Sequence, residues 1–373
     1  MHPAARKVAL LGAGRMGQVH GRNAAASPRL DLAWLVEPDA GARGRLCDEL
    51  GCRPAGLGDV LADPEVAGVI VASSTDTHLD HCLAASKAGK AVFCEKPLAT
   101  SYSQAMDAVT AVESAGVHNA VGFNYRRLPA VALMRRMIAD GVIGEVRLWR
   151  GRWLSDEFTD PATPYDWRVD RAMGGTTIAD LGSHLLDMAA WMAGPISDVC
   201  AQSETFITER QLPGGGSEPV TVDDASSALV RFASGARGTV EMARSAVRRP
   251  CDFTVEFNGS RGTLVFDYAR LNELWYGDDG DDPGLYGMRR IRAEHPTHPY
   301  AAQWWPIGQG IGYGASFANQ VADLLEGWPD QPWAPGFREA AGVQAVCDAM
   351  EVSAAQRRWV AVTEIAASPG TPA

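Results

Sequence analysis

The chain has 373 residues, long enough for two domains, and 46% of them are hydrophobic, which is ordinary for a globular protein. A net charge of -11 argues against a general nucleic-acid binder, and no apolar run could span a bilayer, so we expect neither nucleic acid nor membrane as a partner. The apolar run near the N-terminus is too short for a signal peptide and continues into a glycine motif, which predicts a cytoplasmic protein.

The first apolar run is followed by glycines at the spacing of a dinucleotide-binding loop. Residues 8–11 are continuously apolar, as expected of a buried parallel strand. Gly12, Gly14 and Gly17 would allow a tight turn, the approach of a pyrophosphate and close helix packing. The following helix would direct its N–H groups at the phosphates. From this loop we expect cofactor contacts from Gly12, Gly14, Arg15 and Met16.

The second strand, 31–36, ends at an acid that suits a ribose. Glu37 lies twenty residues after Gly17, where its carboxylate would accept hydrogen bonds from the ribose hydroxyls and repel a 2′-phosphate. The sequence therefore favours NAD. Arg43 and Arg45 are close enough in the chain to keep NADP open as an alternative.

Strands and helices continue to alternate as far as residue 124. We predict strands at 66–72, 91–94 and 117–122 and helices at 77–88 and 103–115, which together make a doubly wound parallel sheet. Ligands of such sheets bind outside the carboxyl ends of the strands. Two motifs fall there: 73–75 after the third strand and Glu95-Lys96-Pro97 after the fourth. Residues 1–124 are therefore predicted to form a Rossmann domain.

From residue 125 the pattern changes to a helix and longer strands. The strands are predicted to form a mostly antiparallel open sheet of about six strands, backed by helices. We assign 125–373 to an α+β domain for substrate binding and oligomerisation, whose last helix, 337–360, is a candidate to pack on the first domain. The predicted helix is 129–140, and the strands are 145–154, 198–207, 226–232, 238–246, 252–257 and 263–268, with 271–276 as a candidate for an additional strand.

One helix of this second half carries residues with chemistry. Asp180 and His184 are four residues apart, so they share a helix face. A histidine can take a hydroxyl proton near neutral pH. From spacing alone, a structural acid and a core histidine are slightly the better interpretation. A metal pair is a third interpretation, but no third ligand is evident and no zinc or calcium spacing occurs, so we predict no metal.

These motifs together resemble the Gfo/Idh/MocA oxidoreductase family. Four features match in order over nearly the whole chain: the glycine loop, the segment 72–78, Glu95-Lys96-Pro97, and Gly174-Gly175 followed by Asp180 and His184. The resemblance implies hydride transfer with a nicotinamide and a cis Lys96–Pro97 bond. It implies that Lys96, Asp180 and His184 are catalytic and line the substrate pocket. The remaining expected cofactor contacts are Glu37, Ser73, Ser74, Thr75, His78, Glu95, Lys96, Asn124, Trp167 and Arg168.

A narrower resemblance points to the substrate. The segments 122–127, 167–168 and 298–306 look like those of family members that oxidise sugars, anhydrosugars and cyclic polyols. In that interpretation His184 takes the proton of a secondary hydroxyl, Lys96 stabilises the charge developing on its oxygen, and Asp180 orients the substrate or His184. The further expected substrate contacts are Tyr125, Arg126 and Arg152.

Two rival functions stay open, and the family resemblance also bears on the oligomeric state. A related enzyme could cleave glycosides by oxidising the sugar transiently, and it would then form no net NADH. A non-catalytic sensor would bind the nucleotide and turn over nothing. By analogy with the family we expect a homodimer or homotetramer.

Overall fold

The computed structural model describes residues 5–325, 328 and 334–367, which form two compact units. Unit 1 takes its described residues from 1–124 and 317–344, and unit 2 takes them from 125–316 and 345–373. The predicted second domain, 125–373, therefore differs from the structure at 317–344. This segment joins unit 1 through backbone contacts: Val121 N–H donates to Pro335 O (2.9 Å), and Phe337 N–H donates to Asn119 Oδ1 (2.8 Å).

Unit 1 contains a six-stranded parallel sheet with helices between the strands. The strand order is β3-β2-β1-β4-β5-β6, so the order reverses between β1 and β4, the switch point at which such sheets bind dinucleotides. The Rossmann prediction is confirmed. The elements are β1 (Arg6–Leu11), α1 (Arg15–Ala26), β2 (Leu30–Val36), α2 (Ala40–Leu50), β3 (Arg53–Pro54), α3 (Leu57–Ala62), β4 (Val66–Val71), α4 (His78–Lys87), β5 (Ala91–Cys94), α5 (Tyr102–Ala115) and β6 (Asn119–Val121).

The core of unit 1 explains why its strands are continuously apolar. Leu10, Leu35 and Phe93 come from three different strands and pack in one buried cluster, which also takes Leu46 from α2. Because helices cover both faces of a parallel sheet, both faces of each strand are buried. Each such side chain contributes about 1.5–3 kcal/mol to stability.

Unit 2 contains a nine-stranded mixed sheet in the order β16-β15-β14-β13-β7-β12-β11-β8-β17. Only the β12–β7 pairing is parallel among the pairings described, so the mostly antiparallel prediction is confirmed. The sheet exceeds the predicted six strands partly because short strands extend both edges. The elements up to β16 are α6 (Pro129–Ala139), β7 (Val146–Leu154), α7 (Ser183–Ala193), β8 (Ile196–Glu204), β9 (Glu209–Gln211), β10 (Ser217–Pro219), β11 (Ala225–Phe232), β12 (Arg237–Ala243), β13 (Asp252–Gly259), β14 (Gly262–Asp267), β15 (Glu273–Asp278) and β16 (Arg289–Arg292).

The two faces of this sheet have different surroundings. Along β7 the buried residues are Trp149 and Gly151, whereas Arg150 is exposed, so one face is internal and the other is open. The helix that follows Ile178 lies close to the inner face, because a Cβ on Gly182 would be 2.6 Å from Met242 Sδ of β12. The reactive side chains of that helix therefore lie on the inner-face side of the sheet.

The C-terminal elements are α8 (Ala315–Leu325), α9 (Phe337–Gln356), β17 (Val360–Ala361) and α10 (Val362–Ala367). The predicted helix 337–360 corresponds to α9, and α8 was not predicted. Within the described ranges, no helix has both the length and the apolar character needed to cross a bilayer.

Candidate active site

The glycine loop of unit 1 has the geometry that a dinucleotide loop requires. Gly12 has a φ of +104°, and a Cβ there would lie 2.6 Å from Ala72 O at the end of β4. A Cβ on Gly17 would lie 2.1 Å from Gly12 O. Both positions therefore need glycine for the turn itself and for the packing of α1 against it.

Gly14 is glycine for a different reason. No described protein atom lies within 4 Å of the place where its Cβ would be, although it is the N-cap of α1. Protein packing therefore does not require glycine here, whereas a pyrophosphate approaching the start of α1 would. The loop thus fits the phosphates of a dinucleotide.

Glu37 is fixed beside this loop by two backbone donors. Its Oε2 accepts from Ala13 N–H (2.8 Å) and its Oε1 accepts from Asp39 N–H (2.9 Å). Arg43 donates to the backbone carbonyl of Glu37 (2.5 Å), so its guanidinium is already bound to protein. A carboxylate held at this position suits the ribose hydroxyls of NAD.

The loops after β4 and β5 are joined by His78. Its Nδ1 lies 2.9 Å from Pro97 O, and its Nε2 lies 3.2 Å from Ser73 O. Burial lowers the pKa of the ring, so the imidazole is neutral at neutral pH and donates one hydrogen bond to one of these carbonyls. The ring therefore connects the two segments that the sequence assigns to the ligand edge.

The tripeptide Glu95-Lys96-Pro97 is anchored by a buried carboxylate. Glu95 Oε1 lies 2.5 Å from His20 Nε2, which comes from α1, and Glu95 Oε2 accepts from Lys96 N–H (3.1 Å). The Lys96–Pro97 bond is cis, as the resemblance implies. Glu95 therefore links the backbone of Lys96 to the helix that starts at the glycine loop.

In unit 2, Asp180 lies on a π-helical turn, Ile178–Gly182, that leads directly into α7. The sequence predicted an α-helical spacing between Asp180 and His184, and the structure differs because of this turn. Such turns are frequent at functional sites. Upstream, Gly175 packs on the backbone of Trp167 and Arg168: a Cβ there would lie 2.5 Å from Trp167 O.

His184 stands in an aromatic surrounding on the inner face of the sheet. Its ring centroid is 4.8 Å from that of Tyr125 and 5.5 Å from that of Trp153. Tyr125 stacks on Phe253 (4.8 Å), and burial raises the pKa of its hydroxyl well above the ordinary value. The surface beside the imidazole is therefore apolar and flat.

Comparisons with known proteins identify the family of this chain. Residues 6–123 match the description "Oxidoreductase family, NAD-binding Rossmann fold", and residues 131–265 match "GFO/IDH/MocA C-terminal domain". Levoglucosan dehydrogenase of Pseudarthrobacter phenanthrenivorans is 33% identical over 96% of this chain and 99% of its own length. The chain belongs to the Gfo/Idh/MocA family of oxidoreductases.

One further relative and one solved structure extend the comparison. Inositol 2-dehydrogenase of Rhizobium meliloti is 26% identical over 95% of this chain and 98% of its own. A solved structure of levoglucosan dehydrogenase in complex with NADH and L-sorbose superposes with a TM-score of 0.91 at 33% identity, over 96% of this chain and 99% of that one. The predicted family and the NAD-binding Rossmann domain are confirmed.

Three predicted site residues of this Gfo/Idh/MocA protein have other partners. Arg152 pairs with Asp252 (2.7 Å) and shares the open face of the sheet with Arg150, opposite to Trp153 and His184. Arg126 forms a buried bidentate pair with Asp187 through its Nε and Nη2 (2.8 and 2.6 Å). His78 is buried between the carbonyls of Pro97 and Ser73, which take up both of its ring nitrogens.

Other residues of the site were missed by sequence reasoning. Trp153 could have been found, because it alternates with Arg152 on β7 and must point to the face that Trp149 occupies. His20 and Arg244 carry no such local indication, since their partners lie far along the chain. Across the described residues, no cluster of histidine, cysteine and acidic side chains could hold a metal.

Proposed function

We propose that this protein oxidises a secondary hydroxyl of a sugar, anhydrosugar or cyclic polyol, with NAD as the hydride acceptor. The observation that carries the proposal is His184 set against the rings of Tyr125 and Trp153, which offers a base beside a flat apolar surface. A ring with C–H faces and a reactive hydroxyl matches such a surface. The names of the levoglucosan and inositol dehydrogenase relatives support the same substrate class.

The proposed roles follow from the chemistry of each side chain. NAD, when bound, accepts the hydride. His184 takes the hydroxyl proton, because an imidazole is basic enough near neutral pH. Lys96 hydrogen-bonds the same oxygen and stabilises its developing negative charge, and Asp180 orients the substrate or His184.

The proposed contacts separate into two groups. Tyr125 is proposed to contact substrate beside the catalytic side chains. Arg126, which is anchored by Asp187, is proposed to hold its neighbour Tyr125 in place rather than to bind substrate. Trp167 and Arg168 remain predicted cofactor contacts. The proposed NAD contacts in unit 1 are Gly12, Gly14, Arg15, Met16, Glu37, Ser73, Ser74, Thr75, Glu95, Lys96 and Asn124.

The test is a panel of cyclic polyols, sugars and anhydrosugars with NAD, followed by absorbance of the reduced cofactor. On the best substrate, His184→Ala should lower kcat by roughly 100-fold or more, because a general base typically supplies that much, with NAD affinity unchanged. His295→Ala removes an exposed imidazole and serves as the control. Near-normal kcat in His184→Ala would end the base role.

The same panel separates the rival functions. An oxidoreductase of the proposed kind forms one NADH for each substrate oxidised. A glycoside-cleaving enzyme would release its products with only catalytic NAD and no accumulating NADH. Tight NAD binding without any turnover across the panel would favour the sensor.

We also propose a homo-oligomer, formed through the open face of the nine-stranded sheet. Leu229 is 52% exposed on that face, beside Arg150, Thr239 and Glu241. A symmetric pairing of two copies through this face would bury Leu229 together with the polar residues around it. Leu229→Glu should lower the mass measured by light scattering to that of one chain, whereas an unchanged mass would exclude this face.

A reducing, cytoplasmic location is proposed on the cysteines. All seven are free thiols in the structure, including Cys47 and Cys52, whose Sγ atoms are 3.8 Å apart. Such a pair would tend to oxidise in an oxidising compartment. Thiol titration of protein purified from its native cells should find all seven reduced.

A further inference from the structure

Arg244 is a buried arginine that joins the separate segments of the unit 2 site. Its side chain follows the end of β12 and is 1% exposed. Its Nε donates to Thr177 Oγ1 (2.9 Å), Nη1 donates to Arg168 O (2.9 Å), and Nη2 donates to Gly175 O (2.8 Å). One guanidinium therefore holds the end of the Trp167–Arg168 segment and the start of the π-helical turn that carries Asp180.

The charge of Arg244 faces a carboxylate of the proposed active site. All of its hydrogen-bond acceptors are neutral oxygens, whereas its Nη1 lies 3.9 Å from Asp180 Oδ2. The Asp180 side chain is 16% exposed, so water screens this pair only in part. The guanidinium thus has two effects on Asp180: it fixes the backbone turn that carries it and it opposes its negative charge.

We propose that Arg244 is the positioning residue of this active site, acting on the reaction through Asp180. The proposal rests on the proposed function, because it takes Asp180 to orient the substrate or His184. A planar guanidinium can donate in several fixed directions at once, which a lysine ammonium on a flexible stem cannot reproduce. Arg244→Lys therefore keeps a positive charge but loses the geometry.

The chain offers a matched control in Arg210. This second arginine is equally buried, at 1% exposed, and it lies over the same Phe158 ring, at 5.2 Å against 5.1 Å for Arg244. Its donors hold the carbonyls of Phe158, Asp160 and Thr163. Within the described residues, the hydrogen bonds of Arg210 go to the 158–163 segment and not to the turn that carries Asp180, so Arg210→Lys should disturb that loop and the stability and leave the reaction unchanged.

The experiment is a double-mutant cycle on kcat, with urea unfolding measured in parallel. Arg244→Lys should lower kcat by about 10- to 100-fold, the cost of a small misplacement of a catalytic group. In an Asp180→Asn background the same substitution should have no further effect on kcat. Arg210→Lys should lower the urea midpoint comparably and leave kcat unchanged.

Three results would overturn the proposal. The first is that Arg244→Lys lowers kcat by the same factor in the Asp180→Asn background as in the unmodified protein. The second is that Arg210→Lys lowers kcat as much as Arg244→Lys does. The third is unchanged kcat in Arg244→Lys. If Arg244→Lys does not fold, Thr177→Val removes one acceptor of Arg244 and should give the same pattern with a smaller loss of kcat.

Amide hydrogen exchange tests the positioning role of Arg244 without depending on the proposed function. If no substrate is turned over, the proposed function fails, but the positioning role still predicts which amides open. Arg244→Lys should speed exchange of amides in 167–180, whereas Arg210→Lys should speed exchange in 158–163. The same exchange pattern in both variants would overturn the positioning role.

Discussion

At the scale of single residues, the His20–Glu95 pair is the contact on which the position of Lys96 depends. Glu95 is 4% exposed and His20 is 2% exposed, so Glu95 Oε1 and His20 Nε2 would each lose a buried partner if the other side chain were removed. His20→Leu should lower the free energy of unfolding by about 1–3 kcal/mol, the cost of a buried polar group left unsatisfied. It should also lower kcat, because the carboxylate anchors Lys96 N–H.

The double variant checks this coupling. An amide at position 95 costs less to bury unpaired than a carboxylate, so His20→Leu with Glu95→Gln should lose less stability than the sum of the two single variants. Urea unfolding gives the three free energies. Simple additivity would show that the two side chains do not depend on each other.

His78 makes stability depend on pH in a defined direction. Burial lowers the pKa of its imidazole from the ordinary 6.5, so below about pH 6.5 the unfolded chain binds a proton that the folded chain does not. Stability is then fully present above that pH and is lost as the pH falls, by up to about 1.4 kcal/mol per pH unit for one group. Burial lowers the pKa of His81 and His298 as well, which adds to the slope.

The measurement is urea unfolding at several values between pH 7.5 and 5.5. The slope of stability against pH should be shallower in His78→Gln than in the unmodified protein. His295→Gln, which removes an exposed histidine, controls for the loss of one ring. An unchanged slope in His78→Gln would contradict the assignment.

Among the elements, the glycine loop contains one glycine that the fold requires and one that only NAD binding requires. Gly14 has room for a Cβ, whereas Gly12 has a positive φ and backbone at 2.6 Å. Gly14→Ala should therefore leave stability nearly unchanged and weaken NAD binding by about tenfold or more, because the methyl group would occupy the approach of the pyrophosphate. Gly12→Ala should lose stability as well as binding.

A helical glycine outside the loop is the control for this pair. Gly44 of α2 also has no atom within 4 Å of a Cβ, so Gly44→Ala should stabilise the protein by about 0.5–1 kcal/mol and leave NAD affinity alone. Calorimetric titration and thermal unfolding give the two quantities. Unchanged NAD affinity in Gly14→Ala would contradict the proposed site of the pyrophosphate.

How much could be predicted depends on how local each element is. The strands of unit 1 correspond to contiguous apolar runs, and the glycine loop corresponds to a fixed glycine spacing. The sequence therefore indicates both directly. The edge strands β16 and β17 have four and two residues, too short for a pattern, and they form because a longer neighbour offers its free backbone groups.

What a local pattern leaves out about the site has the same physical origin. The charge of Arg152 suggests a substrate contact, whereas the alternation along β7 places it on the face opposite to Trp153. Residues 317–344 join unit 1 through contacts with residues some 200 positions earlier, such as Phe337 with Asn119, and no local pattern reports such pairs. The chemistry of Asp180 and His184 became clear from family resemblance, since spacing alone favoured a structural role.

At the scale of the whole molecule, NAD binding and folding are linked. A ligand that binds only the folded chain raises the free energy of unfolding by about 2.7 kcal/mol at 100 times its dissociation constant, so the unfolding midpoint reports the preferred cofactor. Glu37 is held by the N–H groups of Ala13 and Asp39 and is not free to move aside for a 2′-phosphate. NAD should therefore raise the midpoint far more than an equal concentration of NADP.

The difference between the midpoint shifts with NAD and NADP tests the effect of the Glu37 charge. Glu37→Gln keeps the size of the side chain and removes its repulsion of a phosphate, so the midpoint shift with NADP should grow while the shift with NAD falls, because a ribose hydroxyl bonds less strongly to an amide than to a carboxylate. Thermal unfolding of both proteins with each nucleotide is the measurement. Equal shifts with NAD and NADP in the unmodified protein would show that Glu37 does not select the cofactor, and the discrimination would then have to be sought at Arg43 and Arg45.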